Sequence, residues 1–301
     1  MSSKRVLFGF LAAWVLALGL FGCNASLPQA NIKNGAAGAG DTIKIASFNI
    51  QVFGASKIKK PNVMDVLAKV VRRFDVVAIQ EVRATSDDIL PTFVKKINET
   101  GARYEFVIGP RLGRTNSKEQ YAYVFNAAKI DLVADSVYTV PDPQDLLHRE
   151  PLVARFRVAG LPVSQAFSFS LVNIHTDPDE TKTEMDALAD VFAGVQNNGS
   201  GEDDVILLGD LNVNDKKLGR LGRLPDISNA IVGLMTNTRK TKMYDNIIFN
   251  RRATVEYTGR FGVVDLMADY NLTMKQALDV SDHLPIWAEF SVWEGGKAPP
   301  R

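Results

Sequence analysis

The chain has 301 residues, 46% of them hydrophobic and 23% charged, which is enough apolar material for one large core or two small ones. Its 35 basic and 34 acidic side chains leave a formal charge of +1, so no global field gathers a polyanion and nucleic-acid contact needs a local basic face. The single cysteine, Cys23, excludes an intrachain disulfide.

Lys4 and Arg5 precede a nearly unbroken apolar run from Val6 to Phe21. This is the layout of an export signal, and it is short for a stable membrane span. It ends in Leu20-Phe21-Gly22-Cys23, which resembles a bacterial lipobox, where cleavage leaves a diacylated Cys23. Residues 1–22 are therefore expected to be a lipoprotein-type signal peptide. The mature protein would be anchored to a membrane on its periplasmic or extracellular side, the alternatives being ordinary secretion and an uncleaved anchor. Losing Lys4 and Arg5 takes the basic count from 35 to 33 against 34 acids, a formal charge of −1. Residues 23–40, rich in Ser, Asn, Ala and Gly, read as a flexible tether. The folded unit is expected over 41–293, with a disordered tail over 294–301.

Residues 42–50 alternate like a strand and bring Asn49 to its end. Pro61 opens a helix, with Val63, Val66, Leu67, Val70, Val71 and Phe74 on one face. Val76–Ile79 is a short buried strand that delivers Gln80-Glu81-Val82-Arg83 at its C-terminal end. A helix is expected over 87–99 and strands over 104–108, 121–126, 131–139, 152–158 and 166–173, the last delivering His175. A polar loop covers 111–120 and another 141–150, where His148 reads as a surface residue. A second amphipathic helix covers 179–196, with Met185, Leu188, Ala189, Phe192 and Val195 on one face. The strand over 204–208 delivers Gly209-Asp210-Leu211-Asn212, and that over 243–249 carries Asp245. Residues 220–241 are poorly patterned. A final strand follows Ser281-Asp282-His283. Strand-rich segments interleaved with a few helices fit a layered α/β sandwich.

Apolar strands that end in a carboxylate, an amide or an imidazole describe a site at the edge of a sheet. Here they end in Asn49, Glu81, His175, Asp210 with Asn212, Asp245, and Asp282 with His283. Each alone reads as readily as a turn residue or a structural histidine; their recurrence points to chemistry.

Gln80-Glu81-Val82-Arg83, Gly209-Asp210-Leu211-Asn212 and Ser281-Asp282-His283, in this order, resemble the endonuclease/exonuclease/phosphatase superfamily. Arg149-Glu150-Pro151 and Tyr244-Asp245 point to its deoxyribonuclease I-like branch. The resemblance implies a four-layer α/β sandwich, two stacked mixed β-sheets flanked by helices. It implies a divalent-metal-dependent phosphodiesterase, most like an endonuclease cutting DNA with little sequence preference. Mg²⁺ is the implied cofactor, with Mn²⁺ or Ca²⁺ as alternatives, held by Asn49, Glu81 and Asp282. His175 and His283 would be the acid–base pair, oriented by Glu119 and Asp245, with Asp210 and Asn212 on the scissile phosphate. Arg83 and Arg149 would contact DNA. Two departures weaken that grip: Ser117 stands where the branch has a groove-packing Tyr, and Gln51 where it has an Arg. Arg111, Arg114, Lys118, Arg239, Lys240 and Lys242 offer replacement charge, and Asp145 with Glu150 a weak calcium site. The same chemistry serves a sphingomyelinase-like or inositol-phosphatase-like enzyme, and a catalytically inactive binding protein is the non-enzymatic rival.

Overall fold

The computed structural model describes residues 41–115 and 117–298. The segments expected to be a signal peptide and a tether, with Cys23, and the last three residues lie outside them. The first half of the chain runs β1 (Thr42–Phe53), α1 (Ala55–Ile58), α2 (Pro61–Val71), β2 (Val76–Val82), α3 (Ile89–Asn98), β3 (Tyr104–Ile108), β4 (Gln120–Asn126), β5 (Ile130–Leu132), β6 (Tyr138–Thr139) and β7 (Leu152–Val158). The second runs β8 (Ser168–His175), α4 (Thr181–Gln196), β9 (Val205–Asp210), β10 (Ile227–Asn229), β11 (Asp245–Asn250), β12 (Tyr257–Val263), α5 (Leu266–Tyr270), α6 (Met274–Val280) and β13 (Ile286–Ser291).

The strands form two mixed sheets, ordered β12-β13-β1-β2-β4-β3 and β10-β11-β9-β8-β7-β5, with β6 also on β7. Each sheet has one parallel pair, β1 with β2 and β8 with β9. A parallel pair needs a crossover helix, and α2 and α4 supply it. Both strands of such a pair end at the same edge. Asn49, Glu81, His175 and Asp210 all sit near those ends, so the topology gathers them.

Alternation along the strands divides the apolar side chains into three layers. Phe48, Ile50, Val77 and Ile79 face α2, α3 and α6. Ile43, Ile45, Val76 and Ala78 face inward against Phe156, Phe169, Leu171, Ile206, Leu208 and Phe249 of the other sheet. Val153, Val172, Leu207 and Ile248 face α4 through Met185, Leu188 and Phe192. Helices, sheet, sheet and helix make the four layers expected from the sequence. Full burial of one such side chain stabilises by about 1.5–3 kcal/mol.

Several expectations change. The strand expected over 131–139 is two short pieces, β5 and β6, broken where Asp135 takes a φ of 55°. The strand expected over 166–173 starts later and ends at His175, while Ala166 bridges to Trp293 instead. The tail starts with structure: Glu294–Gly296 form a 3-10 turn, and the Glu294 N–H donates to the Gln165 carbonyl at 2.9 Å. His148 is not a free surface residue, since its Nδ1 lies 3.5 Å from Asp177. Strand β12 and helices α5 and α6 carried no reading in the sequence. β12 is mostly exposed, so it lacks an apolar alternation. For α6 a signal was available, because Thr273 and Gln276 form a capping box.

Candidate active site

The last residues of β1 and β2 are strained at the site itself. Gln51 and Val52 have φ of 36° and 51°, and Glu81 has 61°. The β1–β2 register shifts between Asn49 and Phe53. Such bulges re-aim side chains next to active sites. Here the turned backbone lets the Val52 N–H donate to Glu81 Oε2 at 2.8 Å and the Gln51 N–H to Asn49 Oδ1 at 2.9 Å. Asn49 Nδ2 then donates to Glu81 Oε1 at 3.1 Å and to Asp210 Oδ2 at 3.0 Å.

Asp210 closes β9 behind Gly209, and that glycine is required. Its φ is 152°, and a Cβ there would stand 1.8 Å from the Ile174 carbonyl oxygen. The close approach brings β8 and β9 together so that His175 and Asp210 are register partners. Asn212, at φ 50°, turns the chain back, with its N–H on Asp210 Oδ1 at 3.1 Å and its amide on the Thr176 carbonyl at 2.9 Å.

Asp210 Oδ2 is the centre of the arrangement. His175 Nε2 lies 3.5 Å from it and His283 Nε2 3.3 Å. Each imidazole is held from behind on Nδ1, His175 by Glu119 at 2.8 Å and His283 by Asp245 at 2.9 Å. Both carboxylates are buried, and Asp245 is the register partner of Asp210 across β11 and β9. Tyr244 leans on the His283 ring, with centroids 5.8 Å apart.

The surrounding carboxylates raise the pKa of both imidazoles. Burial disfavours the His175 cation, but Asp210 and Glu119 outweigh it and raise its pKa above the ordinary value. Burial likewise opposes the His283 cation, and Asp245, Asp210 and Asp282 overcome it and lift the pKa well above the ordinary value. Burial also works against the Glu119 charge, yet His175, Arg149 and Arg83 hold that carboxyl below its usual range.

The two expected DNA-contacting arginines are placed differently. Arg149 is buried, with Nε 2.5 Å from Glu119 Oε1 and 3.2 Å from the His175 carbonyl, so it braces the Glu119–His175 pair. Arg83 stands on the rim, 3.2 Å from Glu81 Oε2 and 3.4 Å from Glu119 Oε2, and donates to Ser117 Oγ at 2.8 Å. Among the replacement basic residues, Arg114 pairs with Asp145 and Glu180, and Lys240 with Asp265. The Arg114 pairing also occupies Asp145, which had been considered with Glu150 for calcium. Arg239 and Lys242 are exposed beside the loop that carries Thr236 and Thr238.

Supporting residues escaped the sequence reading. Lys57 is buried under the β1 turn and donates to the carbonyls of Ile50, Gln51 and Val280 at 2.7, 2.5 and 2.8 Å. Burial pushes its pKa down to about 8, against the pull of Asp282 and Glu81. Thr236 Oγ1 accepts from the N–H groups of Tyr244 and Asp245 at 2.9 and 3.1 Å. Ser281 Oγ donates to the Asn49 carbonyl at 2.7 Å and accepts from the His283 N–H at 3.0 Å. Gln80 Nε2 donates to Asn173 Oδ1 at 2.6 Å, a buried amide bridge between the sheets. No sequence signal marks Lys57 or Thr236. A strand-end Gln80 and an Asn173 in an otherwise apolar strand were visible.

A divalent cation fits the donors at this edge. Asp282 Oδ1 is buried with no hydrogen-bond partner, and Glu81 brings a second carboxylate into the field of the same lysine. These are hard oxygen donors, the kind Mg²⁺ takes. Asn49, expected among the ligands, has its oxygen on the Gln51 N–H and its amide nitrogen on two carboxylates, so it positions Glu81 and Asp210.

The model of the Endonuclease/Exonuclease/phosphatase family matches residues 46–283. The chain belongs to that family. It is 32% identical to deoxyribonuclease gamma of Rattus norvegicus, over 81% of this chain and 83% of that protein. It is also 32% identical to deoxyribonuclease-1-like 1 of Sus scrofa, over 85% and 83%. The catalytic domain of human Nocturnin shares the family fold, with a TM-score of 0.57 at 17% identity, over 84% of this chain and 95% of that one. As a family member with these relatives, the chain is a hydrolase acting on phosphodiester bonds.

Proposed function

We propose that the chain is an exported, divalent-metal-dependent endonuclease that hydrolyses DNA with little sequence preference. The observation that carries this reading is the pair of imidazoles, each gripped on Nδ1 by its own buried carboxylate, that turn Nε2 toward one oxygen of Asp210. Cleaving a phosphodiester needs one group to take a proton from the attacking water and another to give one to the leaving oxygen. Two imidazoles facing one point supply both, and Glu119 and Asp245 keep their tautomers and orientations fixed. Asp210 and Asn212, with the Asn49 amide, line the place where the phosphate is held. Glu81 and Asp282 would hold Mg²⁺, with Mn²⁺ or Ca²⁺ as substitutes, and a bound cation supplies charge neutralisation on the phosphate. The resemblance of the whole chain to two deoxyribonucleases supports DNA as substrate. The segment ending at Cys23 supports export and a lipid anchor.

The test is nicking of supercoiled plasmid by chain lacking residues 1–40, with Mg²⁺ and with chelator, beside a sphingomyelin-release assay. The lipid arm is warranted by Val232, Leu234 and Met235, exposed on the loop just before Thr236. Mg²⁺-dependent nicking without lipid cleavage is the expected result, and lipid cleavage without nicking would overturn the substrate. Metabolic palmitate labelling that is lost in Cys23→Ala would mark the anchor; labelling absent from the wild type would exclude it.

A further inference from the structure

The far end of the sandwich holds a second group of carboxylates that the hydrolytic site does not use. β9 ends at Asp210 and begins at Val205, so Asp204 lies about 20 Å from Asp210 by strand rise. One oxygen from each of Asp204, Glu256 and Glu294 lies within 4.8 Å of the others. Asp204 is 1% exposed and Glu256 2%. Glu294 is exposed and lies on the outer side.

Two observations separate this group from an ordinary acidic patch. First, Asp204 Oδ1 and Glu256 Oε2 are buried with no hydrogen-bond partner, and the one hydroxyl turned to the Asp204 carboxylate, that of Thr254, offers a single proton to the pair. Buried polar atoms are normally satisfied, and an orphaned carboxylate oxygen asks for a donor or a cation. Second, among the described residues no Lys or Arg makes an ion pair with any of the three. Arg155, whose charge is felt by Glu294, is occupied by Glu202 at 2.9 Å. Glu202 itself is committed, since its other oxygen accepts from the Asp204 N–H at 3.1 Å and the Ser168 hydroxyl donates to it.

We propose that Asp204, Glu256 and Glu294 form a divalent-cation site of calcium size, distinct from the hydrolytic centre. Calcium takes oxygens at about 2.3–2.6 Å, so two ligands of one ion stand up to about 5 Å apart, and the observed spacing fits that sphere. The three residues come from separate places. Asp204 precedes β9 of one sheet, Glu256 precedes β12 of the other, and Glu294 opens the last turn. An ion there clasps the two sheets and the C-terminal turn. The Gly295 N–H already holds Glu256 Oε1 at 2.7 Å, which leaves Oε2 for the ion.

Terbium luminescence tests this directly, because Tyr257 and Trp293 adjoin two of the ligands and act as antennae. The full chain, stripped with chelator, is titrated with Tb³⁺ and then with Ca²⁺. Sensitised emission that Ca²⁺ displaces is expected from wild type and equally from Glu81→Gln, which disables the hydrolytic cation site. Glu256→Gln and Glu294→Gln should each weaken Tb³⁺ binding at least tenfold. Ca²⁺ at a hundredfold its dissociation constant should raise the Tm of Glu81→Gln by roughly 5 °C or more, and should not raise that of the double variant Glu81→Gln with Glu256→Gln. If Glu256→Gln does not fold, the exposed Glu294→Gln decides alone. Emission lost in Glu81→Gln but kept in Glu294→Gln, or no emission and no Tm shift in wild type, overturns the site.

Discussion

Replacing Asp245 by Asn isolates what a buried carboxylate does for His283. The substitution keeps the volume and removes the charge 2.9 Å from Nδ1. A carboxylate whose charge centre is about 4 Å from an imidazolium is worth about 4 kcal/mol at an effective dielectric of 20. If that charge is needed only in the transition state, the loss is about 10³-fold in rate. Asn can still accept from the Nδ1–H through its amide oxygen, which limits the damage. Turned the other way, its amide donates to Nδ1 and leaves the wrong tautomer at Nε2. The expected fall in plasmid-nicking kcat is therefore about 10²–10³-fold, with the protein folded. The double variant Asp245→Asn with His283→Ala completes a cycle. Because Asp245 is placed to act through His283, the double variant should be no slower than His283→Ala by more than about threefold. Removing one carboxylate also lowers the His283 pKa, so whichever limb of the pH–rate profile belongs to His283 moves toward lower pH. Single-turnover nicking at saturating enzyme across pH 5–9 reads all three quantities. Asp245→Asn at the wild-type rate, or a double variant a hundredfold slower than His283→Ala, would refute the coupling.

Gly209→Ala puts a Cβ 1.8 Å from the Ile174 carbonyl oxygen at a φ of 152°, so β8 and β9 must part. A loss above about 4 kcal/mol, read by urea unfolding, is expected, and a loss below 1 kcal/mol would show that the strands relax freely. Arg83→Ala should lower the slope of log DNA affinity against log salt by about one if the guanidinium meets a phosphate. An unchanged slope with a reduced kcat would assign Arg83 to bracing Glu81 and Glu119 alone. In chelator, the folded state keeps protons on Asp204 and Glu256 that the unfolded chain has already lost. Their contribution is intact below the unfolded carboxylate range near pH 4. It falls as pH rises through about 7 and about 9. Thermal melts should thus lose Tm from pH 5 to pH 9 without Ca²⁺, and Glu256→Gln should flatten the part below about pH 7. A wild-type profile that rises over this range would refute it.

Residue order alone determined a good deal. Pro61 and the 3.6-residue rhythm through Val71 marked α2, and continuous apolar runs marked β2 and β9, because both elements bury a whole face or both faces. The ends of those runs named Asn49, Glu81, His175, Asp210, Asp245, Asp282 and His283, since a polar residue after a buried strand has few reasons to be there. The same rules were silent where burial is partial. β12 has an open face and β10 only three residues, so neither shows a period. Tertiary structure supplied the physical reason that the groups paired by the family resemblance can meet. The pairing of His283 with Asp245, 38 positions away, and of His175 with Glu119, 56 away, depends on strand register between separated segments. Arg149 turned inward toward the buried carboxylates of Glu119 and Glu184, and Lys57 became part of the site because two carbonyls of the strained β1 turn and one from the end of α6 converge on its ammonium. The Asp204–Glu256–Glu294 cluster joins positions up to 90 residues apart and has no local pattern at all. Local chemistry and periodicity act over a few residues and are legible in a string; register, close approach and shared charge act across the packed sheets and appear only when the chain has folded.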